Sequence, residues 1–282
     1  MKTIFCPVDF SNESIKAAEW AALLAIKAQS RLILFHRFLI FPDGDTRDDS
    51  QDVLRDAQKE AETRLSYLKD SLISKFNGIE SKFTIDTALG IDIEDVIVAA
   101  AEKSNADLIV MGTNGAESFS DIIGGSNTTN VIEETKIPVI AIPDTAAANL
   151  PHTIIYATDL KDEDYTNLSF VLDFAYILDA KLIFLHINEK GDTTKLAKLK
   201  EVISSQIAYN SNIGKVSKTS YDEVKGDDLF ASLQQYSNNV KAEMMVLGRH
   251  PRNFFERLIK GDSARLLVLY STVPLMVVHK KQ

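Results

Sequence analysis

Residues 3–38 read TIFCPVDFSNESIKAAEWAALLAIKAQSRLILFHRF, and residues 153–188 read TIIYATDLKDEDYTNLSFVLDFAYILDAKLIFLHIN. Both segments run from an apolar stretch through an aspartate and an amphipathic stretch to a second apolar stretch with a late histidine. Their aspartates, Asp9 and Asp159, lie 150 positions apart, and so do the histidines. One unit therefore occurs twice along the 282-residue chain, a length that suits two domains of ordinary size.

The repeat continues at a smaller spacing in the later part of each copy. Four pairs of glycines and prolines lie 136 positions apart: Gly90 with Gly226, Gly112 with Gly248, Gly125 with Gly261, and Pro138 with Pro274. The second copy is therefore 14 residues shorter, and the difference falls between His36 and Gly90. We expect it in residues 41–56, FPDGDTRDDSQDVLRD, an aspartate-rich stretch that we interpret as a loop because loops tolerate changes of length.

Short apolar runs alternate with longer amphipathic stretches in each copy. In the first copy the apolar runs are TIFCPV, RLILFHR, SKFTIDT, DLIVMG and PVIAI, and such runs are typical of parallel strands buried on both faces. Stretches such as SIKAAEWAALLAIKAQ predict the intervening helices. The alternation predicts an α/β fold of two tandem domains, each a doubly wound parallel sheet. A short linker near residues 143–151 would separate domain 1–144 from domain 151–282.

The composition limits which partners and compartments are expected. A net charge of -9 argues against a large nucleic-acid or membrane surface. No apolar run approaches the roughly 18 residues that span a bilayer, and the first residues lack the apolar core of a signal peptide. We therefore expect a cytoplasmic protein without nucleic-acid or membrane partners. The single cysteine, Cys6, lies in a predicted strand, where an inert buried thiol is expected.

A glycine-rich stretch follows the predicted strand DLIVMG, and residues 111–130 read MGTNGAESFSDIIGGSNTTN. In an open α/β sheet, ligands bind at the carboxyl ends of the strands, where both Asp9 and this stretch fall. Gly112 and Gly115 can adopt positive φ and leave backbone amides accessible. Gly125 and the hydroxyl residues after it would open the next helix, at the positive end of its dipole.

Spacing alone leaves two interpretations of this stretch open. It could bind phosphate, or its glycines could serve only as turn residues, with Ser126 as a helix cap. It matches neither a Walker loop nor a dinucleotide fingerprint. No Lys or Arg occurs from Thr113 through Thr135, so a bound polyphosphate would need a divalent cation, for which Asp9 could supply an oxygen ligand.

The pattern G-x-x-G, nine residues and G-[ST] is met by Gly112, Gly115, Gly125 and Ser126. Together with CPVDFSNES, DLIVMGTNG and IPVIAIP, it makes the chain resemble a tandem member of the universal stress protein family, with each copy covered nearly in full. The resemblance implies two flavodoxin-like domains. Each would hold a five-stranded parallel sheet of order 3-2-1-4-5 with helices on both faces.

The resemblance also implies ATP binding by the first domain in a stress-response regulatory protein. The residues expected at the nucleotide are Asp9, Gly112, Gly115, Gly125, Ser126 and Thr128, with Asp9 also near Mg²⁺ or Mn²⁺. No catalytic residue is assigned. A slow ATP-hydrolysing enzyme and a nucleotide-free interaction scaffold remain as alternatives. The final strands of the two domains could pair as a pseudo-dimer within one chain, and a homodimer or a separate protein partner is also possible.

The second copy departs from the motif at two positions: Pro251 replaces the second loop glycine, and Asp262 replaces the serine. Proline has no amide to donate, and a carboxylate would repel phosphate. We therefore predict a degenerate site, with Asp159 as a strand-end cap and the second domain as a structural or docking partner. The replacement loop is basic. It could be a docking patch, or its basic residues could form a solvated helix face. These residues are Arg249, His250, Arg252, Arg257 and Lys260.

Overall fold

The computed structural model describes residues 1–40, 50–77, 82–113, 127–158, 165–188, 218–226, 228–249 and 271–279, with further helical positions at 197, 200–201 and 203–205. The chain divides into two compact units, of which the first reaches Asp144 and the second comprises the chain from Thr145 onwards. Within the described ranges, no helix combines the length and the apolar character that crossing a bilayer requires.

The first unit alternates strands with helices throughout its described residues. The elements are β1 (Thr3–Pro7), α1 (Asn12–Ala28), β2 (Arg31–Phe38), α2 (Ser50–Phe76), β3 (Phe83–Leu89), α3 (Ile93–Lys103), β4 (Leu108–Thr113), α4 (Asn127–Glu134) and β5 (Val139–Pro143). The strands pair in parallel in the order β3-β2-β1-β4-β5. Every residue of β1 and β5 is buried. Because successive side chains point to opposite faces, both faces of this sheet are covered.

The second unit repeats the same architecture. Its described elements are β6 (Thr153–Ala157), α5 (Tyr165–Leu178), β7 (Lys181–Asn188), β8 (Thr219–Lys225), α6 (Leu229–Val240), β9 (Met244–Arg249) and β10 (Leu275–His279). The parallel pairings give the order β8-β7-β6-β9-β10. Both units therefore have the predicted strand order 3-2-1-4-5, and the prediction of two flavodoxin-like sheets is confirmed.

A carboxylate clamp at the start of each sheet shows that the repeat extends to individual contacts. Asp107, just before β4, accepts hydrogen bonds from the backbone N–H groups of residues 2 and 3 at 2.6 and 3.0 Å. Glu243, just before β9, accepts the equivalent bonds from residues 152 and 153 at 2.6 and 3.1 Å. Each carboxylate therefore ties the first strand of its sheet to the fourth.

The prediction of a loop through residue 56 is wrong, because α2 already begins at Ser50. Apolar residues recur at helical spacing from Leu54 through Ala61 to Leu65, and the last two are buried. Asp52 lies in the first turn, where a negative charge interacts favourably with the helix dipole. Part of the aspartate-rich stretch is therefore the polar face of a helix; residues 41–49 lie outside the described residues.

Candidate functional site

The carboxyl ends of β1, β2 and β4 meet at one edge of the first sheet. β1 lies between the other two, with Cys6 opposite Leu34 of β2 and Ile4 opposite Leu108 of β4. The chain leaves β1 towards β2 and β3, and later adds β4 on the other side of β1. The order of the strands therefore reverses between β1 and β4, and ligands of open α/β sheets bind at such a position.

The Asp9 carboxylate is held in one orientation by the residues that begin α1. Its Oδ1 accepts hydrogen bonds from the Ser11 backbone N–H at 2.9 Å and from the Ser11 hydroxyl at 2.5 Å. Burial by itself raises the pKa of Asp9, but hydrogen bonds from the hydroxyls of Ser11 and Ser14 and from backbone amides outweigh it and lower the pKa below its usual value. The exposed carboxylate is therefore ionised at neutral pH. Both hydrogen bonds from Ser11 reach the same oxygen, Oδ1.

Gly112 lies inside β4, opposite Ile142 of β5, rather than in the loop after the strand. Its φ is outside the left-handed region, so the expectation of positive φ does not hold at this position. What requires glycine is the start of α1: an added Cβ would lie 2.5 Å from the Glu13 carbonyl oxygen. Gly112 therefore lets the N-terminus of α1 approach the carboxyl end of β4 closely.

Two threonines at the same end of β4 are buried with their hydroxyls. Thr128, in the first turn of α4, donates its hydroxyl proton to the Gly112 carbonyl oxygen at 2.8 Å, which ties that helix to the strand. Thr113 is 2% exposed, and its Oγ1 has no hydrogen-bond partner among the residues that the structure describes. A buried hydroxyl without a partner is costly, so Thr113 is a functional candidate that sequence reasoning missed. The one sequence feature that indicates Thr113 is its position between the motif residues Gly112 and Gly115.

Three side chains from different elements stack beside Asp9. Phe10 has a φ of 66°, a left-handed conformation that costs a non-glycine residue about 1–2 kcal/mol. Its ring contacts the His36 ring from β2, with 4.7 Å between centroids, and the Arg64 guanidinium from α2 lies 4.0 Å from the Phe10 centroid. These contacts hold the turn that carries Asp9. Sequence reasoning missed Phe10 and Arg64, because their meeting depends on how α2 packs.

The histidines at the ends of equivalent strands bond locally. The Nδ1 of His36 lies 2.6 Å from the Val8 carbonyl oxygen, and the Nδ1 of His186 lies 3.1 Å from the Thr158 carbonyl oxygen. Because a carbonyl only accepts, Nδ1 carries the proton in both rings. Cys6 is buried, as predicted, and its burial raises the pKa of the thiol far above the ordinary range.

His36 should make the first domain less stable in mild acid. Burial, the hydrogen bond to Val8 and the charges of Arg64, Arg37 and Asp9 all act on the ring. The net effect lowers its pKa below the ordinary 6.5, with burial as the largest cause. Below pH 6.5 the unfolded chain therefore takes up this proton more readily than the folded one, and stability falls as the pH falls.

The test compares urea unfolding at pH 7.5 and at pH 5.5 for the wild type and for His36→Gln, whose neutral amide can still donate to Val8. We expect the variant to lose less stability between the two pH values. An equal loss of stability in both proteins would show that His36 does not cause the sensitivity to acid.

Several predicted site residues lie outside the described residues. They are Gly115, Gly125 and Ser126 of the first copy, and Asp159, Pro251 and Asp262 of the second. Of the basic residues predicted in the second copy, only Arg249 is described; it ends β9. Gly248 precedes it inside that strand, in the same relation as Gly112 to the end of β4. In the part of the chain that the structure describes, no three acidic, histidine or cysteine side chains form a metal cluster.

Comparison with known proteins identifies the family of this fold and motif. The sequence profile described as the Universal stress protein family matches residues 1–143 and again residues 151–279. The chain belongs to the universal stress protein family. As a tandem universal stress protein it carries one copy of the domain in each half.

Individual relatives agree with this assignment. Universal stress protein Sll1654 of Synechocystis is 34% identical over 143 residues, which cover 50% of this chain and 85% of that protein. Universal stress protein G of Salmonella typhimurium is 28% identical over 153 residues, covering 50% and 98%. The crystal structure of a universal stress protein from Archaeoglobus fulgidus superposes with a TM-score of 0.77 at 19% identity, covering 99% of this chain and 98% of that one. This last likeness shows the fold.

Proposed function

We propose that the first domain of this tandem universal stress protein binds ATP together with Mg²⁺ or Mn²⁺, and that a partner protein senses whether the site is occupied. The observation that carries the proposal is the Asp9 carboxylate. It is exposed, ionised and fixed through Oδ1 by Ser11. It lies at the edge of the sheet where ligands of open α/β folds bind.

The divalent cation has a clear chemical role in this proposal. Mg²⁺ prefers oxygen ligands, keeps several waters, and is commonly bound through one or two carboxylates plus phosphate oxygens. Asp9 would be the protein ligand, and the phosphates would supply others. This arrangement needs no cluster of protein ligands. It also reduces the repulsion between the phosphates and the acidic side chains of the stretch from residue 113 to residue 135.

The glycine-rich motif would complete the site. Backbone amides near Gly115 and Gly125 and the Ser126 hydroxyl would bind the phosphates. In this proposal Gly112 and Thr128 shape the site: Gly112 admits the start of α1, and Thr128 holds α4 against β4. Thr113, whose hydroxyl has no partner in the described part of the chain, would gain one when the ligand is bound.

The second domain would not bind ATP, because Pro251 and Asp262 replace the residues that donate to phosphate. It would serve as a structural or docking partner in a cytoplasmic protein. The predicted pseudo-dimer within one chain, and a homodimer of two chains, stay predictions.

Titration of the full chain with ATP in the presence of Mg²⁺, followed by calorimetry, should give one site per chain. Asp9→Asn should weaken this binding by about tenfold, which corresponds to about 1.4 kcal/mol, and should weaken it much less without Mg²⁺. Asp92→Asn is the matched control, because Asp92 is exposed and its side chain makes no cap hydrogen bond. Two sites per chain would contradict the assignment to one domain, and absence of binding would refute the proposal.

A further inference from the structure

The Arg64 guanidinium is exposed and oriented by an aromatic ring, and its N–H groups have no hydrogen-bond partner among the described residues. It lies on α2 with its Cζ 4.0 Å from the centroid of the Phe10 ring, and its residue is exposed. No described residue accepts a hydrogen bond from it, and no carboxylate of the described chain pairs with it within 4.0 Å. A guanidinium held by stacking keeps five N–H groups in its plane, a geometry that fits phosphate or carboxylate oxygens.

Arg64 lies near one other cation and one anion, in a chain whose net charge is -9. The groups whose charges act on the His36 ring are Arg64, Arg37 and Asp9. Arg37 already donates to the Gly90 carbonyl oxygen at 3.1 Å, and a longer contact of 3.4 Å reaches the carbonyl of Ile91. Of these two arginines, Arg64 is therefore the one still able to bind an added anion.

The residues assigned to the nucleotide site proposed above include no cationic side chain. No Lys or Arg occurs from Thr113 through Thr135, and the single protein charge assigned to the site, Asp9, is negative. A polyphosphate bound there would be stabilised by a positive side chain from another element of the domain. Arg64 of α2 stacks on Phe10, the residue directly after Asp9, and so brings a positive charge to the turn that carries Asp9.

We propose that Arg64, fixed in place by stacking on Phe10, binds phosphate oxygens of the ligand in the first domain. This inference rests on the proposed function for the identity of the ligand. Arg64 would supply, from α2, the positive charge that the glycine-rich stretch lacks, and would share it with the divalent cation at Asp9. Phe10 is the positioning residue, and its left-handed backbone and His36 contact orient the ring that Arg64 covers.

The test compares ATP, adenosine and inorganic tripolyphosphate as probes on the full chain, by calorimetry at low ionic strength. Arg64→Ala should weaken the binding of ATP and of tripolyphosphate by about tenfold, the scale of one charge-assisted hydrogen bond, and leave adenosine binding unchanged. Arg64→Lys should recover part of the lost affinity, because lysine restores the positive charge but not the planar set of guanidinium donors. Raising the salt concentration should weaken ATP binding more in the wild type than in Arg64→Ala.

Arg55→Ala is the matched control. Arg55 is an exposed arginine of the same helix, nine residues earlier, and therefore projects from the opposite side at 3.6 residues per turn. The Arg55→Ala protein should bind ATP, adenosine and tripolyphosphate with the affinities of the wild type. A second variant, Phe10→Leu, keeps an apolar side chain but removes the ring, and should reproduce part of the Arg64→Ala loss.

Two results would overturn the inference: ATP binding that is unchanged in Arg64→Ala, or a loss for adenosine as large as the loss for ATP. The two proposals fail in different ways. A wild type that binds ATP with no dependence on Arg64 refutes this inference and supports the proposed function. A wild type that binds tripolyphosphate through Arg64 but does not bind ATP supports this inference and refutes the proposed function.

Discussion

A Gly112→Ala protein should have a first domain about 3 kcal/mol less stable than that of the wild type. An ideal Cβ at residue 112 would lie 2.5 Å from the carbonyl oxygen of Glu13 and 3.0 Å from the backbone nitrogen of Ser14. Both are backbone atoms at the start of α1, so no side chain can rotate to make room. Overpacking an interior costs about 1–3 kcal/mol. We expect the upper end because α1 itself would have to move.

The measurement uses the single tryptophan of the chain. Trp20 lies in α1 and is 2% exposed, so its fluorescence reports the unfolding of the helix that Gly112 contacts. Gly90→Ala is the matched control in the same domain, since its Cβ would meet the Val96 side chain at 2.2 Å rather than backbone. We expect this control to lose clearly less stability in urea. Equal losses in the two variants would contradict the explanation by backbone contact.

A Gly115→Pro protein should lose ATP binding, with an affinity lowered by more than about 100-fold. Proline removes the backbone amide and fixes φ near about -65°, so a turn that donates to phosphate cannot be reproduced. The second copy carries this exchange naturally at Pro251. The variant therefore converts the first loop towards the one that we predict to be inactive. Calorimetry of the full chain with ATP and Mg²⁺ measures the effect.

Two further variants separate the loop from general effects of proline. Ala148→Pro introduces proline at an exposed position after the first unit and should leave ATP binding unchanged. Gly115→Ala keeps the amide and should lose less affinity than Gly115→Pro. Trp20 fluorescence should show that all three proteins are folded. If Gly115→Pro binds ATP as the wild type does, residues 111–130 do not form a phosphate site.

Patterns that depend on neighbouring residues were predictable from the sequence. The apolar runs became the strands of both sheets, and the repeat of 150 and then 136 positions predicted two units of the same order. In each case the information lies within one element or in the comparison of the two copies.

The sequence predictions were wrong where a mostly polar stretch forms a helix with one buried face, and where a residue is required by contact with a different element. The aspartate-rich stretch looked like a loop, but from Ser50 onwards its apolar residues at helical spacing make it the start of α2. The sequence suggests positive φ as the reason for Gly112, whereas its requirement for glycine comes from the backbone of α1. Neither requirement is visible without the position of the neighbouring element.

The sequence by itself determined that this protein is a tandem α/β chain with one intact and one altered glycine motif, because strand periodicity, repeat spacing and motif spacing are properties of a linear chain. Only the tertiary structure decided which groups meet at the edge of the first sheet. Asp9 is fixed by Ser11, and Phe10 is covered by His36 and Arg64. Arg64 lies 54 residues after Phe10 in the sequence. The two side chains meet only because the packing of α2 fixes how far the helix is rotated about its axis and how far it is shifted along the sheet.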